Sequence, residues 1–176
     1  MRLFIGAPIP PGEAFSAATR NLERIVPGAQ AVPVGSWHVT LRFFGEVDDW
    51  REAAMAMQMA LGSLVPVSAR VCGVGAFPNP HRARIAWAAV DAPGLIEVEQ
   101  RIRQATAGIG NPPDQRAFAP HVTLARLSHP GNLESWTEAQ QDTLFFEGEL
   151  AQIVLFRSDL TGGVPVYTPQ SVMSLG

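Results

Sequence analysis

The tetrapeptide His-Val-Thr-Leu occurs twice, at His38-Val39-Thr40-Leu41 and at His121-Val122-Thr123-Leu124, 83 residues apart in a chain of 176. Four identical letters at nearly half the chain length point to two copies of one supersecondary unit. Within each copy, residues i and i+2 share a face of an extended strand, so an imidazole and a hydroxyl stand side by side. Two such strands related by a pseudo-twofold would face one groove with two histidines and two threonines. That set suits acid–base chemistry on a phosphate, because one imidazole can be neutral and take a proton while the other is charged and gives one. The hydroxyls of Thr40 and Thr123 can donate hydrogen bonds to the non-bridging oxygens where charge develops. Neither copy carries a Ser or Cys nucleophile, so no covalent intermediate is suggested. A lone His-x-Thr in a strand would be read as packing; its recurrence is what points to a shared site.

Composition sets the frame. A hydrophobic fraction of 47% against 16% charged residues describes a folded globular chain rather than a disordered one. At this length one domain is expected, 1–176, built from two related lobes. Cys72 is the only cysteine, which precludes an intramolecular disulfide and suits a cytoplasmic location. The apolar run at 3–5 is short and stopped by Pro8, Pro10 and Pro11, so it does not read as a signal peptide, and no apolar run approaches a membrane span. A net charge of −3 argues against a broad grip on nucleic acid but leaves room for a local pocket. All 13 basic residues are arginine, which reads as a compositional bias, so only an arginine beside a motif is given a role.

Periodicity gives an α+β pattern. A strand is expected at 2–7, a helix at 12–26 with Phe15, Ala18, Leu22 and Ile25 on one stripe, and a strand at 37–44 ended by Gly45. Asp48 or Asp49 caps a helix reaching about Leu61. Strands at 67–74 and 84–90 flank a Gly/Pro-rich turn, and a helix follows at 93–107. The second motif strand spans about 119–127. A short helix at 133–140, a strand at 147–157 and a last strand at 164–168 complete the reading. Strand, helix, motif strand thus appears twice, which predicts two pseudo-symmetric lobes, each with an antiparallel-rich sheet and helices outside, and a groove between them.

Two arginines follow the motifs. Strict alternation puts Arg42 on the face of Thr40 and turns Arg126 away from that of His121, so parity favours Arg42 as a phosphate ligand unless the second strand bulges. Phe43 and Phe44 read as core residues, although a ring at the groove edge could stack on a base.

The full patterns, Trp37-His-Val-Thr-Leu-Arg-Phe-Phe-Gly45-Glu46-Val47 and Phe118-Ala-Pro-His-Val-Thr-Leu-Ala-Arg126, resemble the 2H phosphoesterases, in particular the bacterial and archaeal RNA 2′,3′-cyclic phosphodiesterases once named 2′-5′ RNA ligases. The segments Arg2-Leu3-Phe4-Ile5, Arg84-Ile85-Ala86-Trp87 and Tyr167-Thr168-Pro169 extend the likeness over most of the chain. The resemblance implies hydrolysis of a 2′,3′-cyclic phosphate to a 2′-phosphate without metal or cofactor, and a reversible joining activity. It implies His121 as the group that activates water and His38 as the group that protonates O3′, with Thr40 and Thr123 on the phosphate. Arg126 takes the phosphate-binding position, against the parity argument, and Phe43 the base-stacking one; Arg42 departs from the pattern and could strengthen binding or face solvent. Implied partners are RNA 3′ ends or small nucleotides bearing a cyclic phosphate, met by a monomeric chain in the cytoplasm with no membrane contact.

Two rivals differ in chemistry and a third in substrate. A metal-dependent hydrolase could use His38, His81, His121 and His129, but no metal-type spacing or accompanying carboxylate is present. A non-catalytic RNA-binding module would need a more basic, aromatic-rich strand. The same chemistry on a small cyclic nucleotide or an ADP-ribose derivative stays open.

Overall fold

The computed structural model describes residues 1–160 and 162–176. In chain order its elements are β1 (Arg2–Pro8), α1 (Glu13–Ile25), β2 (Ala29–Ala31), β3 (His38–Glu46), α2 (Trp50–Leu61), β4 (Val67–Phe77), β5 (Ala83–Asp91), α3 (Gly94–Ala105), β6 (His121–Gly131), α4 (Glu134–Ala139), β7 (Leu144–Leu150), β8 (Gln152–Asp159) and β9 (Val166–Ser174). A short 3₁₀ turn, Pro80–Arg82, leads into β5. The strands form one antiparallel sheet in the order β7-β4-β5-β6-β3-β1-β8-β9, with β2 added beside β6.

Helix formation follows the apolar stripes. Phe15, Ala18, Thr19 and Leu22 form the buried face of α1, and Leu95, Val98, Glu99 and Ile102 that of α3. Asp49, rather than Asp48, caps α2 by accepting from the Arg51 amide at 3.0 Å. These faces join the apolar face of the sheet, including Leu3, Ile5, Val39, Val122, Leu124 and Leu155, in one continuous core.

The repeat organises the topology. β1-α1-β3 and β5-α3-β6 place the two motif strands at the centre of the sheet, where β3 and β6 meet at a single pair, Val39 with Val122. Beyond that pair β6 takes β2 as its partner, and the Val32 amide donates to the Leu124 carbonyl at 2.8 Å. The sheet therefore opens into a wedge at its middle. Only Ala151 separates β7, at one edge, from β8, next to the other. One residue spans just a few ångströms, so the sheet curls until these strands are neighbours.

That junction corrects the expected single strand at 147–157: it is two strands that pair in different halves of the sheet, β7 with β4 and β8 with β1. The last strand runs Val166–Ser174 rather than 164–168, and β2 was not anticipated. Three residues carry too little pattern to signal a strand; β2 exists because β6 offers it a free edge.

Candidate active site

A β-bulge in each motif strand decides which side chains share the groove. In β3, Ile5 pairs with Arg42 and Gly6 with Thr40, so Leu41 is the extra residue; in β6, Ala86 pairs with Ala125 and Trp87 with Thr123, so Leu124 is. An extra residue inverts the alternation beyond it. Val39, Leu41, Val122 and Leu124 face the core, and His38, Thr40, His121 and Thr123 face the other way. Past the bulges Arg42 and Ala125 are the buried residues, while Phe43 and Arg126 are exposed on the histidine side.

Arg42 therefore turns into the core and not into the groove, a correction to the parity argument. It is 5% exposed, with Nη1 donating to the Phe43 carbonyl at 2.6 Å and Nη2 to the carbonyls of Ile109 and Asn111. Its guanidinium lies 4.8 Å from the Phe44 ring centroid, and it fastens β3 to the segment that follows α3. Burial and the Arg103 charge both pull its pKa down from the ordinary value.

A cavity of about 380 Å³ opens over the wedge. Its lining includes His38, Thr40, Phe43, Thr123 and Arg126, together with Arg2, Phe4, Gln30, Ser158 and Tyr167, none of which the motifs announce. His121 stands outside this lining, near enough for its charge to act on His38. Continuing the Val39–Val122 register by one residue sets His38 opposite Thr123 and Thr40 opposite His121.

Both imidazoles are held in the same way. His38 Nδ1 lies 2.9 Å from the Ser36 carbonyl and His121 Nδ1 lies 2.9 Å from the Ala119 carbonyl, two residues back in each case. A carbonyl only accepts, so each Nδ1 carries the hydrogen and each Nε2 is the atom left for proton transfer. His38 also rests on Phe4 at 4.8 Å and meets the edge of Tyr167 at 5.3 Å; His121 meets Phe77 at 5.4 Å and Trp87 at 6.2 Å. Gly6 makes room for the first ring, since a Cβ there would stand 3.2 Å from His38 Cδ2.

Electrostatics separates the two halves. Burial lowers the His38 pKa below the ordinary 6.5, the Arg126 and His121 charges lower it further, and the Ser36 carbonyl works in the opposite sense. Burial raises the Tyr167 pKa, so its phenol stays protonated and able to donate. His81, whose Nδ1 is 3.1 Å from Glu134 Oε2, and His129 are both absent from the lining, so the four-histidine set is not assembled here. Among the described residues no three His, Cys, Asp or Glu side chains are grouped to hold a metal ion, and no helix is long and apolar enough to cross a membrane.

One curled antiparallel sheet whose two halves each deliver a His-x-Thr strand to its centre is the architecture of a 2H phosphoesterase. The chain belongs to the 2′-5′ RNA ligase superfamily, whose description matches residues 8–162. It is 30% identical over 189 residues to the RNA 2′,3′-cyclic phosphodiesterase of Thermus thermophilus, covering 99% of this chain and 90% of the relative. The RNA 2′,3′-cyclic phosphodiesterase of Methanocaldococcus jannaschii is 28% identical over 170 residues, covering 95% and 96%. The crystal structure of TT0787 of T. thermophilus superposes with a TM-score of 0.80 at 30% identity, covering 99% and 98% of the two chains. Escherichia coli LigT complexed with 3′-AMP shares the fold, with a TM-score of 0.75 at 23% identity over 99% and 97%.

Proposed function

We propose that this chain opens 2′,3′-cyclic phosphates at RNA ends to 2′-phosphates, using its two histidines as an opposed acid and base. The observation that carries this reading is the joining of the two His-x-Thr strands at Val39–Val122, with both imidazoles fixed through Nδ1. The comparisons support it, since the relatives just named are RNA 2′,3′-cyclic phosphodiesterases.

The nucleoside occupies the cavity, with its base on Phe43 and its cyclic phosphate toward Arg126, Thr40 and Thr123. His38 lines that cavity and so stands on the side of the ribose; His121, outside it, stands where water arrives. His121 Nε2 takes the proton from water as its oxygen attacks phosphorus in line with O3′. The P–O3′ bond breaks and His38, which enters the step as the imidazolium with the anionic oxygens of the bound phosphate beside it offsetting the Arg126 charge, gives its Nε2 proton to O3′, leaving a 2′-phosphate and a 3′-hydroxyl. Arg126 and the threonine hydroxyls hold the equatorial oxygens. Among the described residues no carboxylate lines the cavity, and the donor set of two imidazoles and two hydroxyls suits a step that needs no metal. A 5′-hydroxyl in place of water would join two ends by the same path, and one protomer holds both strands, so a monomer suffices.

Incubation with a short RNA ending in a 2′,3′-cyclic phosphate, in excess chelator, tests this. The expected product is the 2′-phosphate, formed at the same rate with and without chelator. Absence of turnover, loss of rate on chelation, or a 3′-phosphate product would contradict the reading.

The charge environment of His38 makes a second expectation. In the free protein its imidazole should titrate below the ordinary 6.5 when followed by NMR, because burial and Arg126 both disfavour the cation. Arg126→Gln removes a positive charge and should shift that midpoint upward, and with it the His38-dependent limb of the kcat/KM profile. A downward shift, or none, would show that Arg126 does not face this imidazole. The stability linkage has a defined sign: with a depressed folded-state pKa, neutral His38 contributes fully above pH 6.5, and stability falls as pH drops from there through the folded pKa.

A further inference from the structure

The cavity has a second cation that the opening of a cyclic phosphate does not use. Arg2 and Arg126 are both in the lining, and among the described residues no carboxylate is, so the cavity is positive in a chain of net charge −3. Among the described residues neither arginine has an ion-pair partner; Arg24, Arg42, Arg82 and Arg84 also lack one, but of these six only Arg2 and Arg126 line the cavity. Glu46, opposite Arg2 in the β1–β3 register, is itself engaged at 3.0 Å by the Met1 amino group. Tyr167 lines the same cavity as both arginines.

Position separates their roles. Phe4 packs against His38, and Arg2 lies two residues further along β1 on the same face, about 7 Å away along the strand. Its guanidinium is held over the Phe43 ring, 5.4 Å from the centroid, rather than toward the histidine. Arg2 is thus placed beside Phe43 and about two strand residues, roughly 7 Å, from the residue that packs on His38, a step comparable to that between neighbouring phosphates of a strand. An unpaired guanidinium there matches a second phosphate in charge and in its forked donors.

We propose that Arg2 receives the phosphate on the 5′ side of the terminal nucleotide, so that the pocket selects the end of a polynucleotide over a bare nucleoside 2′,3′-cyclic phosphate. This rests on the reading that the pocket opens cyclic phosphates, and it adds the means by which a polymer is told from a monomer. The base reaches Phe43 alongside Arg2, and the guanidinium turns from the ring face to the incoming phosphate. Ser158, which pairs with Arg2 across β1 and β8 and also lines the cavity, can add a hydroxyl donor at the same place.

The test compares uridine 2′,3′-cyclic phosphate with the same nucleotide bearing a 5′-phosphate, two substrates that differ only in the second anion. For the wild-type protein kcat/KM should be about tenfold higher with the 5′-phosphate, the size expected of a charge-assisted contact that stays partly open to water. The advantage should shrink as salt is raised. In Arg2→Ala the ratio should fall to near one, and Arg2→Lys should keep part of it. A wild-type ratio near one, or a ratio unchanged in Arg2→Ala, overturns the assignment while leaving cyclic-phosphate opening intact. If neither nucleotide is turned over while a short RNA ending in a 2′,3′-cyclic phosphate is opened, a single 5′ phosphate does not provide the selection and the Arg2 assignment falls; if the RNA is left intact as well, the functional reading falls with it. The wild-type ratio and its salt dependence require no variant, so the outcome does not hinge on whether a substituted chain folds.

Discussion

His38→Ala and His121→Ala should each lower kcat for cyclic-phosphate opening by about 10²–10⁴-fold, the range that a positioned acid or base contributes. The expectation comes from how each ring is held. A carbonyl two residues upstream fixes Nδ1, leaving Nε2 as the transferring atom on the open face of the sheet. Neither change removes a core anchor, because both rings are half-buried and the apolar residues beside them, Val39 and Val122, remain. The double variant should lose far less than the product of the two single losses, since acid and base serve one transition state. Single-turnover kinetics with circular dichroism as a check on folding would measure this. Near-normal turnover in either folded variant would contradict the two-histidine mechanism.

Arg42→Ala should have the largest effect on stability. Its guanidinium supplies donors to the carbonyls of Phe43, Ile109 and Asn111, and its removal leaves the buried Ile109 carbonyl and two part-buried ones without that donor while emptying the space over Phe44. At roughly 1–3 kcal/mol for an unsatisfied buried group, with lost packing added, a loss of about 2–4 kcal/mol is expected. For a chain of this size that corresponds to a fall in Tm on the order of 10 °C. Arg42→Met should recover packing but not the hydrogen bonds, and so remain destabilised. Thermal unfolding alongside Michaelis kinetics distinguishes the alternatives: a lowered Tm with KM near normal fits the buried strut, whereas a raised KM with unchanged Tm would restore Arg42 to the substrate.

The contrast between Arg42 and Arg126 shows what the sequence could and could not say. The repeat was enough to place both motif strands, the helix before each and the shared face of His38, Thr40, His121 and Thr123. Strict alternation fails beside each motif, at Leu41 in β3 and Leu124 in β6, and β3 breaks phase again at Phe44. In β6 the signal was present: apolar letters fall at Val122 and Leu124 and resume out of phase at Ala125 and Leu127, as a bulge requires. In β3 the same phase change is hidden, because the buried position after the bulge is an arginine whose partners, Ile109 and Asn111, are 67 and 69 residues away. Arg2, Phe4 and Tyr167 carry no local sign of a place in the cavity, for a related reason. They reach the cavity through the β3-β1-β8-β9 order, which local patterning does not encode. The break at Ala151 was missed since two strands separated by one residue look like one long strand until their partners are known.

The central claim is that the two histidines, alike in sequence and in their Nδ1 contacts, act on opposite sides of one phosphorus, His121 on water and His38 on the departing O3′. A cyclic phosphate in which sulfur replaces O3′ tests it most directly, because a thiolate leaves without needing a proton. With this substrate His38→Ala should turn over at close to the wild-type rate, while His121→Ala should stay impaired by about 10²-fold or more. Rescue of His121→Ala instead would reverse the two roles, and equal impairment of both variants would contradict the acid–base division altogether.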